Sequence, residues 1–170
     1  MSDIGYRDAT AADAEAVARL FEQSFVATFG HLYAADDLAL FLATKTAADF
    51  SGDLTDPAFA VRLAEADATP VGFIKLGPPD LPVDTPPASI ELRQLYILEP
   101  WQGAGVAAML TEWAFDEARR RGMRHLQLSV YVDNHRARRF YEKRGFVGVG
   151  HYRFMVGNHV DDDRVMRVAL

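Results

Sequence analysis

At 170 residues, 49% apolar and 25% charged, the chain has the length of one domain and enough apolar material for a single buried core. It contains no cysteine, which excludes a disulfide framework, a cysteine-ligated zinc or iron–sulfur site and any acyl-thiol intermediate on the protein. Lys and Arg total 18 against 24 Asp and Glu, and a net charge of −6 has the wrong sign for a surface that tracks a phosphate backbone, so nucleic acid is not expected as a partner.

Ile4 to Arg7 reads as a short strand. Thr10, followed by Asp13 and Glu15, supplies an N-cap and first-turn acids for a helix whose Val17, Leu20, Phe21 and Phe25 fall at helical spacing, to end near Ala27. Asp36-Asp37 opens a second amphipathic stretch carrying Leu38, Phe41 and Leu42, and Ala47 to Leu54 forms a third short helix. Phe59 to Ala66 and Val71 to Leu76 are apolar runs joined by Asp67-Ala68-Thr69-Pro70, the turn chemistry of a hairpin.

After a proline-rich loop, Pro78 to Pro87, the segment Ile90 to Leu98 reads as a long strand stopped at Glu99-Pro100, because proline cannot donate to a ladder. Gly105 to Arg121 carries Val106, Leu110, Trp113 and Ala114 on one stripe of a helix that Gly122 closes. Leu126 to Val132 alternates as a strand, Asn134 to Arg144 is helical, and Gly145-Phe146 supplies a glycine cap with its hydrophobic contact. Two final strands flank Gly157 to Asp163. The alternation predicts an α/β fold around a mixed sheet, with two strand–helix units side by side.

No apolar run approaches the ~18 residues of a membrane span, and Met1 to Thr10 lacks the basic start and apolar core of a signal peptide. The expectation is a cytoplasmic protein with no membrane partner. His31, His125, His135, His151 and His159 show no metal-ligand spacing, so no metal is expected.

Two segments carry chemistry. Trp101-Gln102-Gly103-Ala104-Gly105-Val106-Ala107 joins a strand to a helix through small residues, and the first helical amides, which have no intrahelical partner, suit an anion such as a pyrophosphate. The alternative is a plain glycine-eased turn. Gly103-x-Gly105-x-x-Ala108 also fits a dinucleotide fingerprint with Asp133 as its acid, but the turn comes too late after Ile97 and too little chain follows Asp133 for such a domain. In the second segment, Asn134 to Phe146, Asn134 and Tyr141 lie seven apart and point within about 20° of each other on a helix, while Phe140 swings away. A phenol on that face is a competent general acid; the plainer reading packs both aromatics in the core.

With both segments in this order, the chain resembles the GCN5-related N-acetyltransferase superfamily. The coenzyme signature of that family is met by Gln102, Gly105 and Ala107, and its later signature by Asn134, Phe140, Tyr141, Gly145 and Phe146. The resemblance implies one N-acetyltransferase domain over residues 1–170, with about six or seven strands flanked by helices and splayed central strands forming a cleft for acetyl-CoA, the co-substrate. It implies that backbone groups of Leu95, Tyr96 and Ile97 pair with the pantetheine arm. The amides of Gly103, Ala104, Gly105, Val106, Ala107 and Ala108 would cradle the pyrophosphate, and Asn134 would contact the pantetheine. Tyr141 would protonate the departing thiolate.

Glu91 sits on the strand where several members of that family carry a catalytic glutamate, and burial would raise its pKa toward a useful base. An ordinary strand glutamate facing solvent, or paired with Arg62 or Arg93, and a water chain as base both remain open. Arg136, Arg138 and Arg139 are candidates for the 3′-phosphate of the coenzyme. The acceptor wall falls on Phe29, His31 and Tyr33, with Phe25 and Thr28 beside them.

Ser24-Phe25-x-x-Thr28-Phe29 followed by Asp36-Asp37-Leu38 looks most like the bacterial polyamine branch, although Leu32-Tyr33-Ala34-Ala35-Asp36 departs from its usual Asn-x-Pro-Glu. Asp36, Asp37 and Asp161 to Asp163 would attract a polycation if they lie at cleft edges; as solvated loop and cap acids they would not matter to it. The implied activity is transfer of an acetyl group to a small primary amine in a ternary complex. A protein or peptide amine acceptor and a non-catalytic acyl-CoA-binding module are the alternatives. Exposed strands near the C terminus are compatible with a homodimer.

Overall fold

In the computed structural model, which describes residues 3–170, β1 (Ile4–Asp8) leads through a 3-10 turn into α1 (Ala14–Phe29). Met1 and Ser2, where the signal-peptide reading and the range 1–170 begin, lie outside the described residues. Asp13 starts the helical segment by accepting the backbone N–H of Thr10 at 2.7 Å, as the capping pattern requires. Val17, Leu20, Phe21, Ser24 and Phe25 form one buried stripe on α1. A 3-10 turn (Gly30–Leu32) precedes α2 (Ala35–Leu42), and α3 (Ala47–Thr55) is capped by Thr46 and Asp49 in a reciprocal box.

The remaining elements are β2 (Ala60–Ala66), β3 (Thr69–Gly77), β4 (Ser89–Ile97), α4 (Val106–Arg120), β5 (His125–Tyr131), α5 (His135–Glu142), β6 (Val147–Val156) and β7 (His159–Ala169). The seven strands form one mixed sheet in the order β1-β2-β3-β4-β5-β7-β6. Every neighbouring pair is antiparallel except β4 and β5, which α4 connects as a parallel crossover must be connected. This is the single-domain α/β architecture expected.

Each face of the sheet has its own core. Ile74, Leu76, Ile90 and Leu126 pack with Leu110 and Ala114 of α4 and with Tyr141 and Phe146 around α5. On the other face Leu63, Phe73 and Val156 meet Val17, Phe21 and Phe25 of α1, Phe41 of α2 and Phe50 of α3.

Two turns are tighter than the sequence suggests. The β2–β3 connection is only Asp67-Ala68, both with positive φ (49° and 61°), the left-handed geometry that matches the twist of a two-residue hairpin, so β3 starts at Thr69 rather than Val71. Similarly, Gly157-Asn158 alone joins β6 to β7, with Gly157 at φ 58°. The segment 159–163, expected to lie between the last two strands, is therefore strand. Its residues pair in register with Val156 back to Tyr152, which puts Asp161 and Asp163 on the buried face and Asp162 outside.

Candidate active site

β4 and β5 pair only over Ser89–Glu91 and His125–Gln127. Immediately afterwards, opposite Lys75 and Leu76 of β3, the register jumps from Gln94 to Leu92, so Arg93 is an extra residue in β4. A bulge bends its strand and adds twist, and here it steers the second half of β4 away from β5. From Leu92 onward one edge of β4 has no strand partner on that side, and the opening is a cavity of 330 Å³. Sequence patterning carries no sign of this bulge, because Arg93 merely continues a run of strand-compatible residues.

At one end of the cavity lie Gln102, Gly103, Ala107, Asn134 and Arg136. Gly103 and Gly105 hold φ of 80° and 84°, and Gly105 is the N-cap of α4. The amides of Val106, Ala107 and Ala108 therefore fall in the first helical turn, where no carbonyl within the helix can reach them. Gln102 braces this turn: its Nε2 donates to the Ile97 carbonyl at 3.0 Å and its Oε1 accepts from Arg136 at 3.2 Å. Arg136 is thereby brought to the turn, whereas Arg138 donates to the Val132 carbonyl. Ala104, Gly105, Val106 and Ala108 are not part of the cavity lining, and the Val106 side chain is in the core. Asn134 lines the cavity while its side-chain oxygen caps α5 through the Ala137 N–H at 3.2 Å, leaving the amide hydrogens for a ligand.

Midway along, the backbone of Leu95, Tyr96 and Ile97 forms one wall and Tyr141 another. Tyr141 is buried, with its ring edge-on to Phe140 and Phe146 at 5.3 and 5.4 Å. Burial pushes its phenol well above the ordinary range, with Arg144 opposing weakly, so the hydroxyl keeps its proton and is a donor. Phe140 does not swing clear as helical spacing suggests. It also lines the cavity, and the Arg144 guanidinium stacks over its ring at 3.6 Å.

At the other end, Phe25, Thr28, Phe29 and Tyr33 meet Tyr131, Phe154, Asp161 and Asp163. Tyr33 donates its hydroxyl to Asp161, and His159 Nε2 lies 3.2 Å from the other oxygen of that carboxylate. Asp163 is 6% exposed; burial, then the neighbouring charge of Asp161, pushes its carboxyl up to about 7, with Ser129 opposing. The reading of these aspartates as solvated loop acids is corrected, because the short turn converts the segment into strand.

Two expected site residues are placed elsewhere. His31, in the 3-10 turn after α1, is exposed and outside the lining. Glu91 stands at the foot of the splay, also outside the lining, where its carboxylate accepts the Asp80 N–H at 2.7 Å and Arg93 lies 3.8 Å away. Burial raises its pKa, while that N–H and Arg93 pull it down. Arg62, the other suggested partner of Glu91, pairs instead with Asp8.

Gln94 and Ser129, which the sequence reading left out, are in the lining, and so is Asp163, which it offered only as one of several acids near a cleft edge. The alternation Asp161-x-Asp163-x-Val165 is the one signal that would have turned these aspartates inward. Among the described residues no group of three His, Asp or Glu could hold a metal ion, and no helix is long and apolar enough to cross a membrane.

Residues 14–146 match the acetyltransferase (GNAT) family. An uncharacterized N-acetyltransferase of Mycobacterium tuberculosis (strain ATCC 25618 / H37Rv) is 33% identical over 155 residues, covering 91% of this chain and 96% of the relative. Among solved structures, the PaiA N-acetyltransferase from Thermoplasma acidophilum in complex with coenzyme A superposes with a TM-score of 0.80 at 18% identity, covering 99% of both chains. The spermidine/spermine N-acetyltransferase SpeG from Vibrio cholerae, in complex with manganese ions, gives a TM-score of 0.67 at 21% identity, covering 98% of this chain and 92% of its own. At such identities the structural likeness speaks for the fold.

Proposed function

The chain belongs to the acetyltransferase (GNAT) family, and we propose that it transfers the acetyl group of acetyl-CoA to a primary amine, with polyamines such as spermidine as the first acceptors to test. The observation that carries this reading is one continuous cavity, with orphan helical amides at one end, an unpaired strand edge and a protonated phenol in the middle, and two buried carboxylates at the other.

Each part has a role in the reaction. The amides from Gly103 to Ala108 take the pyrophosphate, helped by the positive end of α4, and Arg136 lies within reach of a phosphate. The free edge of β4 at Leu95 to Ile97 takes the pantetheine arm as an added strand would be taken. With no cysteine available for an acetyl-enzyme, the amine attacks the thioester carbonyl directly. The oxyanion is met by a backbone amide of Leu95 or Tyr96, and collapse breaks the C–S bond. Tyr141 gives its proton to the sulfur, which leaves as the thiol, and the tyrosinate recovers a proton from the nitrogen of the new amide.

The acidic acceptor end supports a cationic substrate, and the likeness of fold to the Vibrio cholerae spermidine/spermine enzyme makes a polyamine the concrete choice. The test is thiol release from acetyl-CoA on adding spermidine. Spermidine-dependent release with acetylspermidine as product supports the proposal; coenzyme binding without release from any amine would leave only an acyl-CoA-binding module.

A further inference from the structure

Two side chains in the lining of this cavity each bury an oxygen without the partner that a buried polar atom needs. Gln94, 8% exposed, has no donor for Oε1, and Asp163, 6% exposed, has none for Oδ1; both residues line the cavity. An unsatisfied buried acceptor costs roughly 1–3 kcal/mol, more when it is charged, so two in one cavity call for a donor from outside the chain. The neighbouring Asp161 differs, because Tyr33 and His159 already serve it.

Among the described residues no cationic side chain serves either oxygen. The arginines in the lining are occupied elsewhere: Arg93 donates to the Pro78 carbonyl at 2.5 and 3.1 Å, and Arg136 is tied to Gln102 at the coenzyme end. An alkylammonium brings three N–H donors and one positive charge in a compact head. A hydroxyl or thiol acceptor brings one donor and no charge. The aromatic wall of Phe25, Phe29, Tyr33 and Tyr96 suits the apolar carbons behind such a head.

We propose that the acceptor amine binds here as an ammonium held by Asp163 and the Gln94 carboxamide oxygen, and that Asp163, not Glu91, removes the proton that frees the amine to attack. This rests on the acetyltransferase reading of the same cavity. The balance is complete: one proton moves from R–NH3+ to the Asp163 carboxylate, R–NH2 forms the C–N bond, and the C–S bond breaks. Tyr141 protonates the sulfur and recovers the second nitrogen proton, and Asp163 then releases its own to solvent. Glu91 is poorly placed for this, since it lies outside the lining with its carboxylate engaged by the Asp80 amide.

The groups facing Asp163 are Asp161 on its own strand, Ser129 and Tyr131 on β5, Tyr96 on β4, Tyr152 on β6, and Tyr33 before α2, with exposed Asp162 and His159 at the margin. None is a permanent cation, so binding of the ammonium is what draws Asp163 into its charged form.

The experiment has two arms, each run on the wild type, Asp163→Asn, Gln94→Leu and Glu91→Gln. Spermidine and 2-phenylethylamine are titrated calorimetrically into the protein–coenzyme A complex, and kcat/KM for spermidine is followed through the neutral range. The wild type is expected to bind at least one amine and to lose kcat/KM as pH falls below about 7, where Asp163 titrates. Asp163→Asn should weaken amine binding, lower kcat/KM by about 10²-fold or more and abolish that limb, with coenzyme A affinity kept as the check on folding. Gln94→Leu should raise KM more than it lowers kcat, and Glu91→Gln should keep the limb.

An active Asp163→Asn with an unchanged pH profile overturns the inference while leaving the acetyltransferase reading intact. So does loss of the limb in Glu91→Gln alone, or failure of both amines to bind the coenzyme complex. Amine binding that depends on Asp163 without any thiol release upholds the ammonium site and refutes the transfer reaction.

Discussion

The Tyr33 hydroxyl donates a hydrogen bond to the Asp161 carboxylate across 128 positions of sequence, tying the turn before α2 to the last strand. The tyrosine ring also stacks on Phe25 with centroids 6.0 Å apart and meets His159 edge-on at 5.2 Å. Tyr33→Phe keeps both ring contacts and removes only the donor to a buried carboxylate. Hydrogen bonds to charged groups contribute about 1.5–3 kcal/mol, so the variant is expected to melt roughly 4–8 °C lower. A thermal melt checks this. No change in melting temperature would mean that the contact contributes nothing to holding α2 on the sheet.

Asp163 makes stability depend on pH in the direction opposite to an ordinary ion-paired acid. Its carboxyl is raised from 3.8 to about 7 by burial and by Asp161, so the folded state binds a proton that the unfolded chain has released. Stability is therefore highest below the unfolded value and falls as pH rises toward the folded one, by on the order of 4 kcal/mol for this group alone. Asp163→Asn removes that loss. The melting temperature of the variant relative to the wild type should climb between about pH 4 and 7 and then level off. A difference that stays constant across that window would show that Asp163 titrates normally.

Tyr141→Phe tests the acid independently of the base. The ring packing against Phe140 and Phe146 survives, so coenzyme A should bind as before, while kcat falls by about 10²-fold as the thiolate leaves without a proton. Because burial raises the Tyr141 phenol, its ionisation should produce no descending limb in the wild-type rate until well into the alkaline range. Steady-state kinetics with a calorimetric coenzyme A titration separate the outcomes. A variant of full activity would remove Tyr141 from the mechanism.

What was legible in the sequence follows from how local each signal is. Helices α1, α4 and α5 announce themselves through apolar spacing and caps, and the coenzyme turn through Gly103 and Gly105, because those constraints act within a few residues. A mixed sheet with two strand–helix units side by side follows from strand and helix alternation, and the count of about six or seven strands from the family resemblance, whereas the strand order is visible only in the fold. At the acceptor end Phe25, Thr28, Phe29 and Tyr33 were legible, but the geometry that sets the aspartates against them was not, and three long-range features explain why. Arg93 bulges only relative to β3, Tyr33 finds Asp161 only through the tertiary fold, and Asp163 turns inward only because Gly157 permits a two-residue turn. A backbone register, unlike a helical face, depends on the partner strand.

Gly157 has a further reason to lack a side chain, since an added Cβ would fall 2.5 Å from Asp37 Cα, but the coenzyme turn offers the cleaner test of a glycine. Gly105 holds φ at 84° in open space, with nothing within 4 Å of where a Cβ would stand. Any effect of a substitution there is therefore backbone strain rather than collision. Alanine in the left-handed region costs about 1–2 kcal/mol, asparagine less because its side chain tolerates that conformation, and a β-branched valine more. The order Gly105→Asn, Gly105→Ala, Gly105→Val should thus appear as a progressive loss of thermal stability. If the turn also aims its amides at the pyrophosphate, coenzyme A affinity should fall in the same order, because relieving the strain rotates the peptide planes that carry those N–H groups. Calorimetric titration of the three variants decides it. Stability that falls while coenzyme A affinity holds constant would show that Gly105 shapes the helix start without shaping the anion site.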